Sequence, residues 1–388
     1  MTGVRPSRRR FGSAVGVGVL GAVIAAAASL GRATIYDNYT LLADAWRHGR
    51  LWIDWPGPYI DAVPWHGHWY VVEAPLPALL LLPAVLVAGV QANQTLLAAL
   101  LGGVALGAGW QLMRNLGVEF AARWWLAAFL FAGTSLLWAA ALGDVWFVAH
   151  VAAMAFSLLA LCELTGRRRG WLAGLLAAAA IESRFPLALA CIAYLGFLWD
   201  PADGRASVRR IAAFAGTLAA VALAHVGYDE ARFGTLGDVG FTLFATELVK
   251  RTDPMFGANN LPAQLRAFFF ALPNFDLGAW AWPKSNMFGL PLIWTSPALA
   301  LALFARRPAK VVCLLWLAAI LVAIPEFLYY DTGGAQFGMR HALDFEPFLF
   351  GLMALAGTGR LALIWKLLIA YSVAVGLYAI VYWQAFIR

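Results

Sequence analysis

Ala149 to Ser183 reads AHVAAMAFSLLALCELTGRRRGWLAGLLAAAAIES, two apolar runs broken by Arg167, Arg168 and Arg169. Each run approaches the length at which a helix crosses a bilayer. Short loops that collect Lys and Arg face the cytoplasm, so the arginine triplet places this turn inside. The segment therefore reads as two spans that enter and leave through one face. An all-α polytopic membrane protein follows.

The same pattern extends in both directions. Arg8 to Arg10, Arg114 with Arg123, Arg205 with Arg209 and Arg210, Arg306 with Arg307 and Lys310, and Arg360 fall in loops of the same set. Asp37, Asp44, Asp54, Asp61, Glu73, Asp144, Asp229, Asp238, Asp276, Glu326, Asp331, Asp344 and Glu346 occupy or border the other set, as do all six histidines. One face is basic and plain. The other carries the titratable groups and the long loops.

The composition agrees. The chain has 388 residues, of which 62% are hydrophobic and only 13% charged, with a mean hydropathy of +0.73. Soluble domains sit nearer half apolar and a quarter charged. The net charge of +7 does not point to nucleic acid, because the basic residues lie in short inside loops, where they orient helices. Cys162, Cys191 and Cys313 all fall inside expected helices, so no disulfide framework is expected. The start resembles a signal peptide, but its apolar run is long enough to span and is expected as an uncleaved first helix.

Parity sets the topology. The first helix, about 11–29, runs outward, and a first outer loop covers 31–90. Because Arg114 and Arg123 are inside, 91–113 must run inward. The intervening Pro75 to Val90 then begins and ends outside. It holds Pro75, Pro77 and Pro83 and is expected as an interfacial or re-entrant helix. Further spans are expected near 124–141, 149–165, 170–183, 185–199, 210–227, 288–305, 310–328, 341–356 and 361–384. The total is about eleven, which puts the C-terminus outside. A second outer loop, 228–287, holds an interfacial helix over Leu261 to Leu272. The expectation is a single transmembrane domain over 1–388, with no separate soluble domain.

Five groups of residues have chemical potential. Asp37, after Tyr36 and before Asn38, sits at the membrane boundary, as a helix-terminal acid or as a base for an acceptor hydroxyl. Asp61 to Pro77 holds His66, His68 and Glu73. The two histidines match no strong zinc spacing, and a short hairpin anchored by Trp65 and Trp69 accounts for them. Asp144 lies in a very short outer loop that brings it toward Asp37, offering a carboxylate pair over a shared cleft. Arg184 interrupts an apolar run beside Glu182, either self-paired or functional. Arg340 and His341 follow Gly333, Gly334 and Gly338 at a loop-to-helix junction, where a guanidinium fork suits phosphate oxygens. Asp344 and Glu346, further in, either orient Arg340 or cancel it.

Together these residues resemble the GT-C superfamily of membrane glycosyltransferases that use polyprenyl-phosphate sugars, nearest the branch of protein O-mannosyltransferases and lipid A aminoarabinose transferases. The resemblance rests on the first-loop acid, on Glu73-Ala-Pro-Leu-Pro, on the short-loop acid, on Arg232-Phe233-Gly234 and on Phe337-Gly338-Met339-Arg340. Asn38 stands where the family often shows a second acid. The resemblance implies a GT-C fold with Asp37 as catalytic base and Asp144 as a second catalytic acid. It implies that Arg340, with Arg184 or His341, holds the donor phosphate, and that Tyr36, Glu73, His66 and His68 contact substrate. The implied reaction moves a sugar, with inversion, from a polyprenyl-phosphate donor to a lipid, glycan or protein acceptor at the outer face of the inner (plasma) membrane. No metal ligand is assigned; a divalent cation stays open. A lipid-linked glycan ligase or polymerase, a transporter and a non-catalytic lipid-binding subunit are the alternatives. A transporter would carry charges near the midplane and often repeated halves; here the charges sit mostly at one face and no repeat is visible.

Overall fold

The computed structural model describes residues 8–55, 57, 61–237, 239–272 and 288–387. In chain order the helices are α1 (Arg8–Ala28), α2 (Asn38–Arg47), α3 (Leu76–Ala88), α4 (Gln94–Asn115), α5 (Phe120–Ala132), α6 (Leu136–Leu142), α7 (Val145–Thr165), α8 (Gly170–Ile181), α9 (Ala190–Leu198) and α10 (Gly204–Phe233). They continue as α11 (Gly240–Leu243), α12 (Leu261–Leu265), α13 (Leu292–Thr295), α14 (Ala309–Leu328), α15 (Glu346–Ala356) and α16 (Leu363–Phe386). The strands are β1 (Ala62–Trp65), β2 (His68–Val71), β3 (Phe288–Leu290) and β4 (Gln336–Gly338). β1 and β2 form an antiparallel hairpin around His66-Gly67, and β3 and β4 pair in parallel.

The protein is a mostly helical, multi-pass membrane protein. Among the described residues, α4, α7, α14, α16 and the helix through α10 are long and apolar enough to cross a membrane. A sixth span is present if α5 and α6, bent by 47°, act as one. Four other expected spans are helical but shorter: Ser13–Ala28, Gly170–Ile181, Phe185–Leu198 and Glu346–Ala356. By length and composition five or six helices qualify as spans among the described residues, and the expected count of eleven is not confirmed.

Local chemistry explains the departures. Gly133, Thr134 and Ser135 break the expected 124–141 helix into α5 and α6. The 288–305 segment is not one helix: it runs as β3, α13 and a 3-10 helix over Pro297–Phe304. Pro291 and Pro297 each remove a backbone donor that a continuous helix would need. Conversely, α10 continues through Phe233 and absorbs Tyr228 to Phe233, which were expected in the second outer loop. The expected helix over Leu261 to Leu272 is present as α12 followed by a wider turn over Arg266–Phe270; Asp238, Asp276 and the end of that loop lie outside the described residues.

The core lies along α4 and α7. Trp110, Phe129, Trp138, Phe147 and Phe348 are fully buried there. α1 packs directly on α4 because Gly103 faces Gly18 and Ala22; a Cβ at Gly103 would collide with the Gly18 carbonyl oxygen. Small residues permit this close helix approach in a bilayer, where van der Waals packing drives association. α3, with Pro83 inside it, packs on α2 rather than joining the bundle of long helices. Its Leu76 amide donates to the Glu182 carbonyl at the end of α8 (3.0 Å).

Candidate active site

The site is built where the α1–α2 loop, the hairpin, the start of α7, the α8–α9 break and the α14–α15 loop converge. Asp37 stands at the N-terminus of α2. Its carbonyl accepts from the Thr40 amide (2.8 Å) and the Leu41 amide (3.1 Å), while its side chain makes no capping hydrogen bond. The carboxyl is half-buried, and desolvation raises its pKa above the usual value despite a bond to its own backbone.

Asp144 reaches the same corner. Gly143 has φ +69°, and a Cβ there would strike Thr95. The turn thus needs glycine and drops Asp144 at the start of α7. Thr34 Oγ1 donates to the Asp144 carboxylate. The Val145 amide donates to the Tyr36 carbonyl (3.0 Å), and Gln94 Nε2 donates to the Tyr36 carbonyl (3.1 Å) and the Gly143 carbonyl (2.7 Å). Asp144 and Val145 thus hold, through Thr34 and the Tyr36 carbonyl, the stretch of chain that leads to Asp37.

Tyr36 also stacks, tilted, on Trp146, ring centroids 4.9 Å apart. Trp146 Nε1 donates to Asp61 Oδ2 (2.6 Å). Burial raises the Asp61 pKa, against the Trp146 hydrogen bond and the attraction of Arg340. Glu73 follows β2. Burial, and then repulsion from Asp61, raise its pKa well above the carboxylate range.

Arg184 is not paired with Glu182. Its Nε donates to Asp344 Oδ2 (2.9 Å) and its Nη2 to Glu326 Oε1 (3.0 Å). His150 Nδ1 lies 2.7 Å from Asp344 Oδ1, and His341 Nδ1 lies 2.6 Å from Glu326 Oε2. Glu182 instead meets His225 Nδ1 (2.8 Å). Ionisable groups among apolar helices are expensive unless paired or functional, and this network pairs them. His150 and Glu326 are the members that the sequence reading assigned no role, and Asp344 was expected beside Arg340 rather than Arg184. The available signal was a polar residue within an otherwise apolar run.

Arg340 stands differently. It is buried. Its Nη1 donates to the Gly334 carbonyl (2.8 Å), and its guanidinium lies 5.8 Å from the Phe147 ring centre. Among the described residues no carboxylate is within ion-pair distance, and its Nε has no hydrogen-bond partner. Asp344 neither orients nor cancels it, because Arg184 and His150 occupy Asp344. Asp331 and Asp61 attract it only from beyond contact distance, a buried guanidinium with no carboxylate in contact is costly, and an anion would relieve it.

His66 and His68 are exposed at the hairpin turn. They stack on Trp65 (4.5 Å) and Trp52 (4.2 Å), not on the residues around Arg340. Among the described residues no three His, Cys, Asp or Glu side chains come together as a metal site.

No protein-family model and no curated protein matches the sequence. Comparison with solved structures finds ArnT from Cupriavidus metallidurans bound to undecaprenyl phosphate, with a TM-score of 0.55 and 15% identity. The chain folds like ArnT. The match covers 90% of this chain and 61% of the ArnT chain; the protein thus spans about three fifths of ArnT. At this identity the likeness to ArnT concerns the fold alone.

Proposed function

We propose that the protein is a membrane glycosyltransferase that takes a sugar from a polyprenyl-phosphate donor and passes it, with inversion, to a lipid, glycan or protein acceptor at the outer face of the inner membrane. The observation that carries this reading is Arg340: buried, without a carboxylate partner among the described residues, in a fold like that of a protein solved with undecaprenyl phosphate. Arg184, the other arginine of the site, is paired with Asp344 and Glu326.

In this reading Arg340 grips the donor phosphate. Fixed positive charge in a dry site stabilises the phosphate as it leaves, and this electrostatic contribution is the largest. Arg184, held by Asp344 and Glu326, adds positive charge nearby, and His341 is fixed by Glu326. Asp37 removes the acceptor proton as the acceptor oxygen attacks the anomeric carbon from the face opposite the phosphate. Asp144 positions Asp37 through Thr34 and Tyr36. Tyr36 and Trp146 offer aromatic surface beside the reacting groups. The histidine–tryptophan hairpin is left for contact with acceptor or lipid headgroups.

The test is transfer by the purified full chain from undecaprenyl-phosphate sugars, together with binding of undecaprenyl phosphate itself. Binding that depends on Arg340, and transfer that depends on Asp37, are expected. A protein that does not bind the lipid phosphate would sink the reading.

A further inference from the structure

On the basic face of the bundle, Arg123 stands without an acid. Arg168 there pairs with Asp200, Arg169 with Glu163 and Arg210 with Asp203. Arg123, near the start of α5, has no carboxylate within ion-pair distance among the described residues, and its Nε has no hydrogen-bond partner. Glu119, one turn earlier, is exposed and does not reach it. The charged neighbour that acts on Arg123 is Arg114 on α4, which has the same sign. Arg114 Nη1 is steadied by Ser13 Oγ on α1 (3.2 Å).

The surroundings of Arg123 are aromatic. Its guanidinium carbon lies 5.3 Å from the Trp110 ring centre and 5.4 Å from that of Phe120. Trp124 packs on both rings, with centroids 4.7 Å and 6.2 Å away. Trp110 is fully buried, and its Nε1 is a second donor with no partner among the described residues. Buried polar atoms are nearly always hydrogen-bonded, and each exception calls for a reason. Phe120 and Trp124, by contrast, are 61% and 46% exposed. Arg123 itself is half-buried. Its stem lies along apolar surface and its head stays at the boundary.

We propose that Arg123, with Arg114, forms a binding site for the phosphate of an anionic phospholipid, whose glycerol and first acyl carbons lie on Phe120 and Trp124. The unpaired polar groups of Arg123 and Trp110 are donors, so the ligand must accept. Two like charges side by side call for an anion. The exposed rings call for an anion that carries an apolar tail, because a soluble anion would leave them uncovered. Tryptophan is enriched at the headgroup level of a bilayer, and short loops rich in arginine mark the cytoplasmic side, where the leaflet is negatively charged. Arginine suits the place because it stacks on aromatic faces and grips phosphate with two nitrogens. This site is distinct from that of Arg340. Gln94, at the other end of α4, holds the Tyr36 carbonyl, and the helix rises about 24 Å from Gln94 to Trp110.

The experiment counts, by native mass spectrometry, the lipids kept by the full chain in neutral detergent as phosphatidylglycerol or phosphatidylcholine is added. Phosphatidylglycerol should bind about fivefold or more tighter than phosphatidylcholine, whose headgroup carries a compensating positive charge. Arg123→Gln should remove most of that preference, and Arg123→Lys should keep part of it. Arg168→Gln, at a paired arginine of the same face, should leave it intact. The proposal is overturned if the two lipids bind alike or if Arg123→Gln retains the preference. It is overturned if Arg168→Gln lowers the preference as much, which would make the whole basic face responsible. Displacement of phosphatidylglycerol by an equal concentration of inorganic phosphate would overturn it in favour of a soluble anion. Loss of the preference in Arg340→Ala and not in Arg123→Gln would return the lipid to the donor site.

Discussion

Arg184 Nε and Asp344 Oδ2 lie 2.9 Å apart, joining the α8–α9 break to the α14–α15 loop across 160 residues of chain. The same guanidinium reaches Glu326 on α14, and Asp344 reaches His150 on α7. One arginine thus ties together three parts of the helical bundle.

Removing one side of this network should be severe. Arg184→Met leaves Asp344 and Glu326 as buried carboxylates without their cation, and breaking a buried pair in this way costs about 3–5 kcal/mol. Arg184→Met combined with Asp344→Asn should recover part of that loss. A double-mutant cycle on thermal or denaturant midpoints in detergent checks it; additive losses would mean that the pair is uncoupled.

Arg340 should act on binding rather than on folding. Hydrogen bonds to charged groups contribute about 1.5–3 kcal/mol, so Arg340→Ala should weaken undecaprenyl-phosphate binding by about 10- to 100-fold. Arg340→Lys should restore only part, because lysine keeps the charge and loses the fork. If affinity holds in Arg340→Ala and falls in Arg184→Lys, the phosphate belongs to Arg184.

Asp37 should act on turnover. Asp37→Asn should lower sugar transfer by about two to four orders of magnitude while donor binding survives. The base must be ionised, and burial has raised its pKa. Transfer should therefore rise with pH through a value above that of an ordinary aspartate. Near-normal turnover in Asp37→Asn would shift the role to Asp144.

Glu73 should make the fold weaker as pH rises. Its folded pKa lies well above the ordinary 4.5 because burial disfavours the charge. Below 4.5 both folded and unfolded chains hold the proton, and nothing is lost. Above it the unfolded chain releases the proton first, so stability falls as pH climbs toward the folded value. Asp37 and Asp61 act with the same sign. Thermal midpoints of the parent and Glu73→Gln across this range test the point. The variant should lose part of the slope; an unchanged slope would rule Glu73 out as its source.

α3 should lie on one side of the membrane. Thirteen residues rise about 20 Å, short of a hydrocarbon core of about 30 Å. Cysteines placed at Gly67 and Gln91 should both react with an impermeant reagent from the same side. Labelling from opposite sides would make α3 a span.

The sequence by itself determined the class and most of the elements. Apolar runs as long as those of α4, α7, α14 and α16 have no comfortable place except a bilayer or a protein core, and backbone hydrogen bonding makes them helices in either. The short loop that holds Asp144 and the glycine-rich stretch before Arg340 were legible, and Gly333 there does take a positive φ. The alternation of charge was legible because it is a property of loops, each read on its own. Pairing was not legible. Nothing in Glu182-Ser183-Arg184 says that Glu182 turns to His225 while Arg184 turns to Asp344 and Glu326. Those partners lie 43, 160 and 142 residues away, and desolvation leaves a buried charge no choice but the acid that packing puts beside it. The same holds for Arg340. Its chain position marks it as a cation near glycines, but only the tertiary structure, by engaging Asp344 elsewhere, leaves its guanidinium without a carboxylate in contact among the described residues.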